Sequence, residues 1–262
     1  MKVGVQGYTI RSFCNDEEGI AQSLKKIKEI GFSSLQVSGF GAIPAEKLKA
    51  MCDENGLQIV VTHTNPDRIL EDTENVIKEH KIMGCNHVGI GIMPKKYRWS
   101  IDGTKAFIAD YSKAADMFAD NGLKFHYHNH GNEIAKYGSM TLLEIMAELT
   151  DPNKWGFIFD TYWSQFGGMC PAQMMYKLAG RIDVCHLKDL HYRAVSDAED
   201  TEYKQHFAAI GTGSIVWEEV LEACQKTGIK FAEIEQDDCY GADPFEQLKI
   251  SYDYLKKLNC EF

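Results

Sequence analysis

Paired cysteines are missing from this chain. Its eight cysteines (Cys14, Cys52, Cys85, Cys170, Cys185, Cys224, Cys239 and Cys260) are scattered, none in a CxxC spacing. No secretory leader precedes the strand-like opening MKVGVQGY, so reduced thiols and a cytoplasmic location are expected. No apolar run approaches the roughly 20 residues that span a bilayer, which excludes a membrane partner. A basic stripe is missing too. The formal net charge is −10 with both signs mixed along the chain, which argues against a nucleic-acid groove. No GxGxxG follows the first strand and no low-complexity linker interrupts the chain, so no dinucleotide site and no second domain are expected. A hydrophobic content of 44% over 262 residues supports one large core, and residues 1–262 read as a single domain.

What the chain does have is a repeated signal. Helical patterns stop on a glycine and a β-rich run follows: Gly31 before FSSLQVSG, Gly56 before LQIVVTHT, Gly84 before CNHVGIGI, Gly122 before LKFHYHNH, Gly180 before RIDVCHLK and Gly228 before IKFAEIEQ. Glycine past a helix end supplies the left-handed residue that turns the chain into the next strand. The opening strand near Val3 to Gln6 and GFIFD bring the count to eight strands. Amphipathic stretches such as IAQSLKKIKEI and VWEEVLEACQK lie between them. Eight βα units in this length match an α/β fold of the (β/α)8 TIM-barrel type. The stretch His191 to Ser214 is expected as a loop over the barrel mouth. The run GTGS (Gly211 to Ser214) has no Walker lysine spacing and reads as a turn with Ser214 as the cap of the next helix.

Reactive side chains gather at the carboxyl ends of the later strands, where barrels place active sites. KFHYHNHGNE puts His126, His128 and His130 on one face of its strand, because residues two apart point the same way. GFIFDTYW ends on Asp160, VCHLKDL carries His186 and Lys188, and FAEIEQDD carries Glu235. Taken singly, each is explained as a hydrogen-bonded polar group; taken together they suit one divalent ion (Mn, Co, Mg or Zn). His126 lies deepest and reads as a core histidine, while His128 and His130 can transfer protons. Lys188 can steady an oxyanion, and Trp163 can stack on a sugar ring. Gln6 and His63 are candidates for substrate hydrogen bonds, with Arg11 at the surface. Cys185 alternates away from His186.

HYHNHGNE, FDTYW, CHLKDL, IGTGSIVW and EIEQDD, in this order and spacing, resemble the xylose isomerase-like TIM-barrel superfamily, in its sugar phosphate isomerase/epimerase branch. The likeness runs from VGVQGYTIR to EQDD. It implies one divalent metal held by a glutamate, an aspartate, a histidine and a glutamate from the fifth to eighth strands. The last three carry over to Asp160, His186 and Glu235. Epimerases carry the first glutamate where His128 stands here, and Glu133, five residues on, is expected to reach back as the fourth ligand. His128 and His130 are then left as acid/base groups.

The resemblance implies a metal-dependent sugar isomerase or epimerase, acting on a small sugar, keto-sugar or polyol by proton abstraction α to a carbonyl through an enediolate. The alternatives are a lyase or dehydratase on the same intermediate, of the inosose dehydratase or 3-keto-glycoside-cleaving kind, and a non-catalytic sugar-binding barrel or subunit of a larger enzyme. A homodimer or a partner subunit is compatible with all of these. An endonuclease IV-like activity would need a basic surface that the acidic balance denies.

Overall fold

The six glycines that close helical patterns in the sequence all have positive φ, between 62° and 122°, and a strand begins within three residues of each. Gly84 and Gly228 show what this conformation does: both are left-handed residues whose N–H turns back to carbonyls of the helix just ended. In the computed structural model, which describes residues 1–194, 196 and 201–262, eight strands follow. They are β1 (Lys2–Gln6), β2 (Ser34–Val37), β3 (Gln58–His63), β4 (His87–Ile90), β5 (Lys124–His128), β6 (Trp155–Asp160), β7 (Ile182–Leu187) and β8 (Phe231–Ile234). Each pairs in parallel with its chain neighbours, and β8 returns to β1 through Lys2↔Phe231 to Val5↔Ile234, closing the barrel. The fold is a single (β/α)8 barrel.

Side chains alternate as a closed sheet requires. On β5, Phe125 and Tyr127 join the apolar layer under the outer helices, while His126 and His128 face the axis. Phe125 packs edge-on to Trp155 at 4.7 Å and stacks on Tyr111 of the helix Ile101–Asp120 at 5.7 Å. The apolar part of the interior is small: Val60, Val61, Ile158 and Val184, with Phe231 packed against them. The rest of the axis is polar. At the amino end His126 shares a hydrogen bond of 2.9 Å with Asp183, which also takes one from Lys124. At the carboxyl end stand the residues of the next section. Cys185 points outward into the apolar layer. Among the described residues no helix is long and apolar enough to cross a membrane.

Within the stretch after β7 that was expected as a loop, Asp189–Ala194 pairs antiparallel with Tyr203–Ala208; residues 195 and 197–200 of that stretch lie outside the described residues. Ser214 is not the expected helix cap. The helix begins at Trp217 with Val216 before it, and Ser214 donates its N–H to the Leu190 carbonyl instead. The reason is Asp189. Its buried carboxylate accepts from the N–H groups of Leu190, Gly211, Gly213 and Ile215 and from the Trp217 indole. The GTGS run is thus an anion cradle whose anion is the chain's own. A Cβ on Gly213 would come within 2.3 Å of that carboxylate, which accounts for glycine there.

Candidate metal centre

At the carboxyl end of the barrel, His128 of β5, Asp160 of β6, His186 of β7 and Glu235 just past β8 bring one ligand atom each to within 4.8 Å of one another. All four are buried. Each is held by one atom and offers another. Asp160 Oδ1 accepts from Trp163 N at 2.8 Å, because Asp160 caps the helix Thr161–Phe166, and its Oδ2 faces the cluster. Glu235 Oε1 accepts from Gln6 Nε2 at 2.7 Å, and its Oε2 faces inward. His128 Nδ1 bonds the Gly91 carbonyl at 3.0 Å, and Nε2 lies 3.3 Å from Asp160 Oδ2. His186 Nδ1 lies 2.9 Å from Glu235 Oε2 and 3.8 Å from Asp160 Oδ2.

Two imidazoles and two carboxylates, each presenting a single atom to one point, fit a divalent cation of the borderline or hard class. His186 Nδ1 is also a buried nitrogen without a well-formed hydrogen bond, which a ligand bond would satisfy. Burial opposes the charged form of His186, but Glu235 and Asp160 beside it prevail and push it up to about 9. The two carboxylates move the other way. Burial would raise Asp160, yet Lys188, His128 and His186 hold it below the usual carboxylate range, and Lys188 and His186 do the same for Glu235.

Lys188 is the local counterion. Its Nζ lies 3.2 Å from Glu235 Oε2, 3.7 Å from Asp160 Oδ2 and 2.8 Å from Asp237 Oδ2, and this company outweighs burial to hold it charged. Burial and Glu235 push Asp237 up to about 6 against the pull of Lys188. The rings of Phe207 and Trp163 lie 4.9 and 5.3 Å from Nζ. A cavity of about 300 Å³ opens beside the cluster.

The structure places the other expected residues as follows. His130 lines the cavity; burial pushes it down to about 3, so its imidazole is neutral, with Nδ1 unpartnered. His63 also lines it, with Nδ1 3.1 Å from Ser38 Oγ and Nε2 unpartnered. Trp163 packs 5.0 Å from the His130 ring. Gln6 lines the cavity as well, with both ends of its amide engaged, by Glu235 and by Tyr8 N. Arg11 ties the Tyr8 and Asp237 carbonyls together.

Glu133 is the correction. It is buried, but its carboxylate accepts from Tyr127 OH at 2.9 Å and His130 N at 2.7 Å. Tyr127 points outward on β5, and Glu133, in the turn Gly131–Ile134, is drawn to that side. His128 stands in the cluster instead. The sequence reading also passed over Gln36, Ser38 and Asp237. Gln36 and Asp237 follow Ser34 and Glu235 by two residues, the same alternation that singled out the histidines.

The xylose isomerase-like TIM-barrel family model matches residues 24–258. The chain belongs to that family. An inosose dehydratase of Geobacillus kaustophilus is 21% identical over 90% of this chain and 86% of its own length. A sugar phosphate isomerase/epimerase of Parabacteroides distasonis, 24% identical, superposes with a TM-score of 0.80 over 98% of both chains. The IolI protein, solved with a bound zinc atom, superposes with a TM-score of 0.72 at 12% identity, over 98% of both chains.

Proposed function

We propose that this chain is a divalent-metal-dependent enzyme that removes a proton α to the carbonyl of a keto sugar or polyol-derived ketone. The observation that carries this is the convergence of His128, Asp160, His186 and Glu235, each anchored by one atom and offering another. A bound divalent ion supplies positive charge where the enediolate develops its negative charge, typically worth several kcal/mol of barrier. Lys188 Nζ, charged and at the cavity wall, donates to the developing oxyanion. The neutral His130 takes the proton at Nδ1, which has no other partner. The Trp163, Phe207 and Tyr162 rings beside Lys188 exclude water from that exchange.

Three outcomes share this step: return of the proton to the same carbon (epimerisation), to its neighbour (isomerisation), or loss of a β-substituent (elimination). His128 occupies the position at which epimerases carry one of their two paired glutamates. That replacement, with an inosose dehydratase among the relatives, favours elimination over the isomerase reading.

The test is solvent deuterium exchange at the α carbon of keto sugars and inososes, by NMR, with and without a chelator. Exchange that chelation abolishes supports the proposal. Metal binding with no exchange on any ketone would leave a sugar-binding barrel or a subunit awaiting its partner.

A further inference from the structure

We infer that Gln36 is a positioning residue that locks His186 in the tautomer able to bind a cation through Nδ1. This rests on the metal reading above and adds to it which atom of β2 makes His186 a ligand. Gln36 Oε1 lies 2.7 Å from His186 Nε2, and both residues are fully buried. An amide oxygen is an acceptor only, so Nε2 carries a hydrogen and donates it. When a cation takes the place of the second ring proton, the lone pair it meets is on Nδ1, the nitrogen that faces Glu235 Oε2 and Asp160 Oδ2. His128 is treated the same way from the opposite side. There the Gly91 carbonyl takes the Nδ1 hydrogen, and Nε2 is the nitrogen that faces Asp160 and would be given to a cation. The two imidazoles therefore present different nitrogens to one point, each set by a buried acceptor behind it.

The two acceptors differ in one respect. A backbone carbonyl cannot be altered by a side-chain substitution, whereas Gln36 can, and a rotation of its amide would present a donor to Nε2 and move the histidine hydrogen to Nδ1. Gln36 is thus the replaceable half of the arrangement. Loss of such a partner typically lowers metal affinity about 10–100-fold.

The experiment is calorimetric titration of Mn²⁺ or Zn²⁺ into the chelator-stripped full chain, for wild type, Gln36→Leu and Gln36→Glu. Zn²⁺-loaded wild type is also measured by ¹⁵N NMR of the His186 ring. The expected result is affinity about 10–100-fold weaker in Gln36→Leu and retained or tighter in Gln36→Glu, which keeps an acceptor. In the wild type, Nε2 should be protonated and Nδ1 bound to zinc. Wild-type affinity in Gln36→Leu overturns the inference while leaving the metal reading intact, as does a bare Nε2 in the NMR experiment. If Gln36→Leu fails to fold, the ring protonation in the wild type decides alone. A wild type that takes up neither ion overturns both readings.

Discussion

His128 Nε2 faces Asp160 Oδ2 across 3.3 Å, while Glu133, five residues further on, spends its carboxylate on Tyr127 and on the His130 N–H. The fourth member of the cluster is thus an imidazole, and the nearby glutamate holds the turn that follows β5.

Substitution should separate these two roles. The wild type is expected to carry about one equivalent of divalent metal, and His128→Ala and Asp160→Ala to lose it, measured by elemental analysis after gel filtration. Glu133→Gln should keep the metal and lower the melting temperature instead, since a hydrogen bond to a charged group contributes about 1.5–3 kcal/mol. Metal loss in Glu133→Gln with metal retained in His128→Ala would reverse the assignment.

Lys188 Nζ faces the same two oxygens, Glu235 Oε2 and Asp160 Oδ2, that the proposal assigns to a metal. Lys188→Met should therefore bind Mn²⁺ at least as tightly as wild type, while turnover of any ketone that wild type exchanges falls by roughly 10²–10³, the usual scale for losing an oxyanion donor. Weaker metal binding in this variant would show that Lys188 supports the site by some other route.

Stability of the stripped protein should fall as the pH drops. Burial pushes His80 and His87 down to about 4 from an ordinary 6.5, and His80 is fixed between the Val76 carbonyl and the Thr62 hydroxyl. Because the folded value lies below the unfolded one, the stabilisation is complete above about pH 6.5 and is lost as the pH falls toward about 4. Each histidine contributes a slope of up to about 1.4 kcal/mol per pH unit in that window. Urea denaturation at intervals across it checks the sign, and His80→Gln should remove one proton's worth of slope. A slope that His80→Gln leaves unchanged refutes the assignment.

Phe125 joins barrel to helices through Trp155 and Tyr111. Phe125→Ala should cost about 3–5 kcal/mol by chemical denaturation. A cost under about 1 kcal/mol would mean that the neighbouring rings collapse into the space.

The barrel was legible in the sequence because its signals are local. A glycine that must turn left-handed after a helix, and an alternation that sends His126 and His128 one way and Tyr127 the other, depend on backbone geometry that neighbouring residues carry with them. Asp160, His186 and Glu235 were legible for the same reason, each standing at the end of its own strand. What lay beyond the sequence were the relations across strands. Whether Glu133 or His128 joins the cluster depends on which side of β5 the following turn falls. Gln36 reaches His186 from 150 positions away only because β2 and β7 face each other across a closed barrel. The GTGS run looked like a helix cap until Asp189 folded against it. Local spacing determines which face a side chain takes; only closure of the barrel decides which other side chain it meets there.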